Sequence, residues 1–222
     1  MALFDETVTK QLTEILSMMK DEVELVYFTQ EIECPTCKDG HSFVSEMAAL
    51  NSKLKLSTYT LVKNHEMAEK YQIDKIPATL LLDKDGKDTR IRFFGIPAGY
   101  EINSFLGAIL EVSSHITTIP DEIKNRIDKI DHDVHIQVFV SLGCPHCPDA
   151  VSAAHLIAME NSHVRADMVE TSTFPHLAVR YDVSGVPKAV FNDKIEFVGA
   201  QPVMAFLDAI DKLAEPEEEA KA

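Results

Sequence analysis

Apolar residues recur along the chain with two periods, and each change of period marks a new element. Thr7 to Lys20 carries Val8, Leu12, Ile15, Leu16 and Met19 at helical spacing, which predicts an amphipathic helix. The apolar run Val23 to Phe28 predicts a strand. Phe43, Val44, Met47 and Leu50 then predict the inner face of a second helix. A strand over Leu56 to Leu61, a short helix over His65 to Tyr71 and a strand over Thr79 to Leu82 follow. The polar turn Asp83-Lys84-Asp85-Gly86 closes a hairpin onto Ile91 to Phe94. A helix over Ile102 to Val112 ends this half.

The same order of elements returns. A helix is predicted over Asp121 to Ile130, a strand over His135 to Val140, and a helix ending near Met159. A strand over Val164 to Val169 and a helix from Phe174 to Tyr181 come next. The strands Lys188 to Phe191 and Ile195 to Val198 flank Asn192-Asp193, and Val203 to Leu213 forms the last helix. Shifting the sequence by 110 superposes Cys34 on Cys144, Pro35 on Pro145, Cys37 on Cys147, Asn51 on Asn161, Tyr71 on Tyr181 and Ile76-Pro77 on Val186-Pro187. A unit this long, present twice, is a domain duplication. With His115 to Pro120 as linker, the units are 1–117 and 118–222. The expected fold is α/β: two tandem units, each a mixed central sheet with helices on both faces.

Charge narrows the functions. The 222 residues hold 21 Lys and Arg against 36 Asp and Glu, a formal net charge of −15. Such a surface repels phosphate backbones and anionic lipid, so neither nucleic acid nor a membrane is an expected partner. The acidic tail from Glu215 to Ala222 is expected to be a solvated end. The N-terminus lacks a basic and apolar leader, which predicts a cytoplasmic location.

The cysteines change the picture most. All four fall in two C-x-x-C pairs, Cys34/Cys37 and Cys144/Cys147. In a reducing compartment such pairs are redox-active or metal-binding. A single four-thiolate zinc site is the metal reading. Each motif, however, opens its own helix and has its own downstream proline, so no metal and no cofactor are expected. A cysteine at a helix start gains thiolate character from the free N–H groups and the helix dipole, and a second cysteine one turn on can release a mixed disulfide. Pro35 and Pro145 are placed just inside the helix starts. Pro148 falls where it costs a hydrogen bond or kinks the helix. Thr36 stands between the cysteines of one site and His146 between those of the other. A histidine there adds positive charge or a donor, so Cys144 is expected to have the lower pKa of the two leading cysteines. The other histidines, His155 among them, show no ligand spacing and are assigned mostly to the surface.

Strand, C-P-x-C, helix, and then a hydrophobic residue and proline before a hairpin resembles the thioredoxin fold. Two such units in tandem resemble the glutaredoxin-like protein disulfide oxidoreductases. The second unit, Ser141-Leu142-Gly143-Cys144-Pro145-His146-Cys147-Pro148-Asp149, is also similar to the N-terminal domain of the flavoprotein component of alkyl hydroperoxide reductase. The resemblance implies cis prolines at Pro77 and Pro187, with Ile76-Pro77 and Val186-Pro187 as substrate-facing turns. It also implies a buried aspartate six residues before the first cysteine, where this chain has Phe28 and Val138. Glu31, Glu33 or water is then left to take the proton of the resolving thiol. The function this implies is protein disulfide oxidoreduction, net reduction in the cytoplasm, with Cys34 and Cys144 attacking and Cys37 and Cys147 resolving. The expected partners are disulfide-containing proteins, a thioredoxin-reductase-like flavoprotein and a peroxiredoxin. One alternative is a dedicated electron carrier from a flavin-dependent reductase to a peroxiredoxin. Another is a non-catalytic, chaperone-like binding module.

Overall fold

The computed structural model describes residues 3–214, so the tail from Glu215 lies outside the described residues. The first half runs α1 (Glu6–Leu16), β1 (Val23–Thr29), α2 (Cys37–Ala49), β2 (Leu54–Thr60), α3 (His65–Lys70), β3 (Ala78–Leu82), β4 (Asp88–Phe94) and α4 (Ile102–Ser114). The second half repeats it as α5 (Asp121–Ile127), β5 (Val134–Val140), α6 (Cys147–Glu160), β6 (Val164–Glu170), α7 (Pro175–Arg180), β7 (Lys188–Phe191), β8 (Ile195–Val198) and α8 (Val203–Ala214). A 3-10 turn, Gly99–Glu101, precedes α4.

Each half contributes four strands, and the two sheets are fused. β4 pairs with β6 in parallel, from Ile91 opposite Ala166 to Phe94 opposite Val169. The result is one mixed sheet of eight strands in the order β2-β1-β3-β4-β6-β5-β7-β8. Alternation along the strands sorts side chains between its faces. Val23, Leu25 and Tyr27 of β1 and Val134, Ile136 and Val138 of β5 face a core shared with α1, α2, α4, α5, α6 and α8. Val26, Phe28 and Phe139 face a smaller core beneath the short helices α3 and α7. Phe93 sits at the seam, edge-on to Phe105 of α4 at 5.1 Å and to His155 of α6 at 4.8 Å between ring centroids. Edge-to-face rings of this kind add to the stabilisation by apolar burial itself.

Two helices stop short of their apolar periodicity. α1 ends at Leu16 and α5 at Ile127, because the next residues turn back: Met19 N–H reaches Leu16 O and Ile130 N–H reaches Ile127 O, both at 3.1 Å. The turns still bury Met19 and Ile130, so the period read correctly for burial and wrongly for helix length. The duplicated asparagines hold these ends. Asn51 Nδ2 donates to Leu16 O and Asn161 Nδ2 to Ile127 O, each at 2.7 Å, filling carbonyls that a helix end leaves free.

Strand pairing also corrects the repeat. Val23 pairs with Leu54 and Val134 with Val164, so β1 matches β5 at a shift of 111 while β2 matches β6 at 110. One extra residue therefore lies between β1 and Cys34. The chain absorbs it in the loop before Cys34, where Glu33 takes a left-handed conformation, φ 60°.

Candidate dithiol sites

The four cysteines pair within their motifs, Cys34 with Cys37 and Cys144 with Cys147, at Cα separations of 5.4 and 5.5 Å. Among the described residues no group of three or more His, Cys, Asp or Glu could hold a metal ion. The second cysteine of each pair, not the first, is the first residue of its helix. Cys37 is 2% exposed and Cys147 0%, whereas Cys34 and Cys144 are half-buried. One sulfur of each pair can meet a large partner and the other cannot.

This placement shifts the prolines. Pro35 and Pro145 lie in the turn ahead of the helix and not inside it, with Thr36 and His146 at the N-cap positions. Pro148 becomes the second helical residue, where the amide it lacks has no acceptor to lose. It breaks nothing. Neither Thr36 nor His146 turns its side chain onto a helix-start amide. The Cys37 and Cys147 amides turn back to the Cys34 and Cys144 carbonyls, so Lys38 and Asp39 N–H at the first site and Asp149 N–H at the second are the ones left to a developing thiolate.

Both Ile76-Pro77 and Val186-Pro187 are cis. Each proline carbonyl is anchored by the glycine that ends the following hairpin: Gly95 N–H, after β4, to Pro77 O at 2.9 Å and Gly199 N–H, after β8, to Pro187 O at 2.7 Å. Cys144 Sγ lies 3.8 Å from the Val186 carbonyl oxygen, so the turn borders the more exposed sulfur of the pair.

Two residues packed against the cysteine-bearing helices escaped the sequence reading. Because of the inserted residue, Tyr27 and not Phe28 occupies the position matching Val138, and its hydroxyl donates to Cys37 O. Glu101 is the other. It is fully buried in the 3-10 turn, which packs against α6 and whose Tyr100 N–H donates to Leu142 O at 3.0 Å. Burial, opposed by a hydrogen bond from Ser104, pushes the Glu101 carboxyl up to about 7, and Oε1 has no hydrogen-bond partner. Glu31 and Glu33 are exposed on the loop before Cys34. Against expectation, His155 is buried, with both ring nitrogens unpartnered.

Two thioredoxin-like halves on one sheet, each with a C-x-x-C disulfide at a helix start, place the chain in the class of tandem dithiol–disulfide proteins. The thioredoxin-domain family matches residues 134–212. Alkylhydroperoxide reductase AhpF of Enterococcus faecalis superposes with a TM-score of 0.87 at 32% identity, over 93% of this chain and 99% of that one. A protein disulfide oxidoreductase from Aeropyrum pernix K1 superposes with a TM-score of 0.88 at 28% identity, over 95% and 93%. The chain belongs to the tandem thioredoxin-fold family that includes this part of alkylhydroperoxide reductase AhpF. Among curated relatives, the AhpF protein of Staphylococcus aureus is 28% identical over 92% of this chain. The chain spans about a third of the length of the curated relatives it matches. Among the described residues no helix is long and apolar enough to cross a membrane.

Proposed function

We propose that the chain reduces protein disulfides by thiol–disulfide exchange at both C-x-x-C centres. The thiolate of Cys34 or Cys144 attacks one substrate sulfur, and the other substrate sulfur leaves as a thiolate. Cys37 or Cys147, once deprotonated, attacks the mixed disulfide. The substrate ends as a dithiol and the centre as a disulfide, so two electrons have moved. Each unit, 1–117 and 118–222, carries one centre.

The observation that carries this reading is the unequal burial within each pair. A half-buried first sulfur can reach a protein substrate, and a fully buried second sulfur can attack only what is already attached to the first. At the second site the Val186 carbonyl offers the substrate backbone an acceptor beside the sulfur. Glu101, whose carboxyl burial raises to about 7 and whose turn packs against the helix that Cys147 opens, is the group we assign to take the proton of Cys147. A thioredoxin-reductase-like flavoprotein would return the electrons. Reduction of insulin by dithiothreitol tests the reading. The protein should accelerate it, Cys144→Ser should remove most of the rate, and retention of the full rate in that variant would overturn the assignment.

A second reading, carriage of electrons from a flavin-dependent reductase to a peroxiredoxin, is favoured by the likeness to alkylhydroperoxide reductase AhpF. Pyridine-nucleotide oxidation with reductase, peroxiredoxin and peroxide separates the two. Activity on insulin without peroxide turnover rejects this second reading.

A further inference from the structure

The two sites differ in what flanks the attacking cysteine. Two residues before Cys144, Leu142 accepts the Tyr100 N–H, and Gly99 lies so close that a Cβ there would stand 2.4 Å from Leu142 O. The first half thus fills that flank of the second site. Two residues before Cys34, Ile32 is 76% exposed, and Val62 beside it is 79% exposed. A hollow of about 330 Å³ lies between them, and Val62 also lines a second hollow of about 640 Å³ running along α3. The rim beside Cys34 is acidic: Glu31 and Glu33 are exposed on either side of Ile32, with Lys63 3.9 Å from Glu31. Counted from the leading cysteine, the second site has Ser141 and Gly143 where the first has Glu31 and Glu33, and Ser172 stands where the first has Val62, so neither the charge nor the apolar pair is repeated there.

We propose that this surface is where the first dithiol receives its substrate: a disulfide-bearing polypeptide segment that lays an apolar side chain against Ile32 and Val62 and basic residues against Glu31 and Glu33. The inference rests on Cys34 being an attacking thiol. An exposed apolar pair beside two carboxylates and one ammonium, net negative, selects a partner with the complementary pattern, and exposed rim charges act chiefly on encounter rate and discrimination. The two centres then take different substrates, the first apolar-basic segments and the second segments without that charge requirement.

The test uses the full chain with Cys144→Ser and Cys147→Ser, so that only the first dithiol reacts. Two synthetic disulfide peptides, alike except for Lys or Glu beside a Leu-Cys pair, are compared with the small neutral hydroxyethyl disulfide. The Lys peptide should react about tenfold faster than the Glu peptide at low salt, and Glu31→Gln with Glu33→Gln should bring that ratio near one. Ile32→Ser should lower the ratio of peptide to hydroxyethyl disulfide rates by about fivefold. Using ratios cancels any change in the thiol itself. A Lys-to-Glu ratio that survives the double substitution, or an equal slowing of all three disulfides by Ile32→Ser, would overturn the docking surface. No reduction of hydroxyethyl disulfide would overturn the exchange reading, and the docking site with it.

Discussion

The Tyr27 hydroxyl donates to the Cys37 carbonyl oxygen at 2.7 Å, tying the middle of β1 to the first residue of α2. Burial holds the phenol far above its ordinary pKa, so it is a neutral donor throughout the physiological range. Tyr27→Phe removes this second bond to a carbonyl that keeps its helical partner, and should cost about 0.5–1.5 kcal/mol. With Cys144 and Cys147 replaced by Ser, the same change should slow the first dithiol. With Cys34 and Cys37 replaced instead, it should not slow the second. Urea titration and single-site rates check the two effects.

Gly40, one turn into α2, makes room for that phenol. A Cβ there would meet the Tyr27 oxygen at 2.4 Å, and the buried ring has little room to retreat. Gly40→Ala should therefore destabilise by about 1–3 kcal/mol despite the better helix propensity of alanine. Combining it with Tyr27→Phe should recover part of the loss, because the oxygen is gone; a double-mutant cycle in urea reads the coupling.

Glu101 predicts an asymmetry between the sites. In a chain keeping only Cys144 and Cys147, Glu101→Gln should slow release of the mixed disulfide by about tenfold to a hundredfold near pH 7, with trapped adduct visible by mass spectrometry. In a chain keeping only Cys34 and Cys37, the same substitution should have no such effect, since the carboxyl belongs to a turn packed against α6. Equal slowing at both sites would mean that the substitution acts through the fold.

These residues show what a sequence can convey. The period of apolar positions located the elements, and the cysteine and proline spacing located both disulfides and both cis-proline turns, because each is a local pattern. Tyr27 was hidden by one inserted residue, visible only once Val23 is seen opposite Leu54 and Val134 opposite Val164. Glu101 was hidden because its chemistry comes from burial against the other half of the chain, 43 residues before Cys144, and no motif marks it. The fusion of the two sheets was equally silent, since β4 and β6 are read alike whether they pair or not. His155 looked like surface because its polarity, taken alone, gives no hint of the seam it packs into.

On the sheet face opposite the helix starts of both sites, Asp167 joins the halves by charge. It is fully buried and takes Arg165 Nη2 at 2.7 Å and His135 Nε2 at 2.6 Å, while Arg165 Nη1 donates to the Gln72 carbonyl of the first half at 3.2 Å. Burial alone would raise its carboxyl, and these two partners more than reverse that, holding it well below the usual range. Asp167→Asn strands a largely buried guanidinium and should cost about 3–5 kcal/mol. A thermal melt at neutral pH measures it, and a loss below about 1 kcal/mol would show that the pair is solvated in solution.

The last prediction concerns acid. Burial lowers the His155 ring from 6.5 to about 3, with Asp167 opposing the drop and the Arg92 guanidinium adding to it, and burial raises Glu101 from 4.5 to about 7. A depressed histidine gives stability that is complete above pH 6.5 and lost as pH falls through 3. A raised carboxyl gives stability that is complete below pH 4.5 and lost as pH rises through 7. Between about pH 4.5 and 6.5 the unfolded chain therefore releases a proton at one residue and gains one at the other, and the two slopes cancel, each being at most ~1.4 kcal/mol per pH unit. Each single substitution should expose the partner's slope. Glu101→Gln should make the protein more stable as pH rises through this window, because only His155 remains, and His155→Leu should make it less stable, because only Glu101 remains. Urea midpoints at pH 4.5, 5.5 and 6.5 decide it: slopes of the same sign in the two variants would show that at least one of these groups is ordinarily solvated.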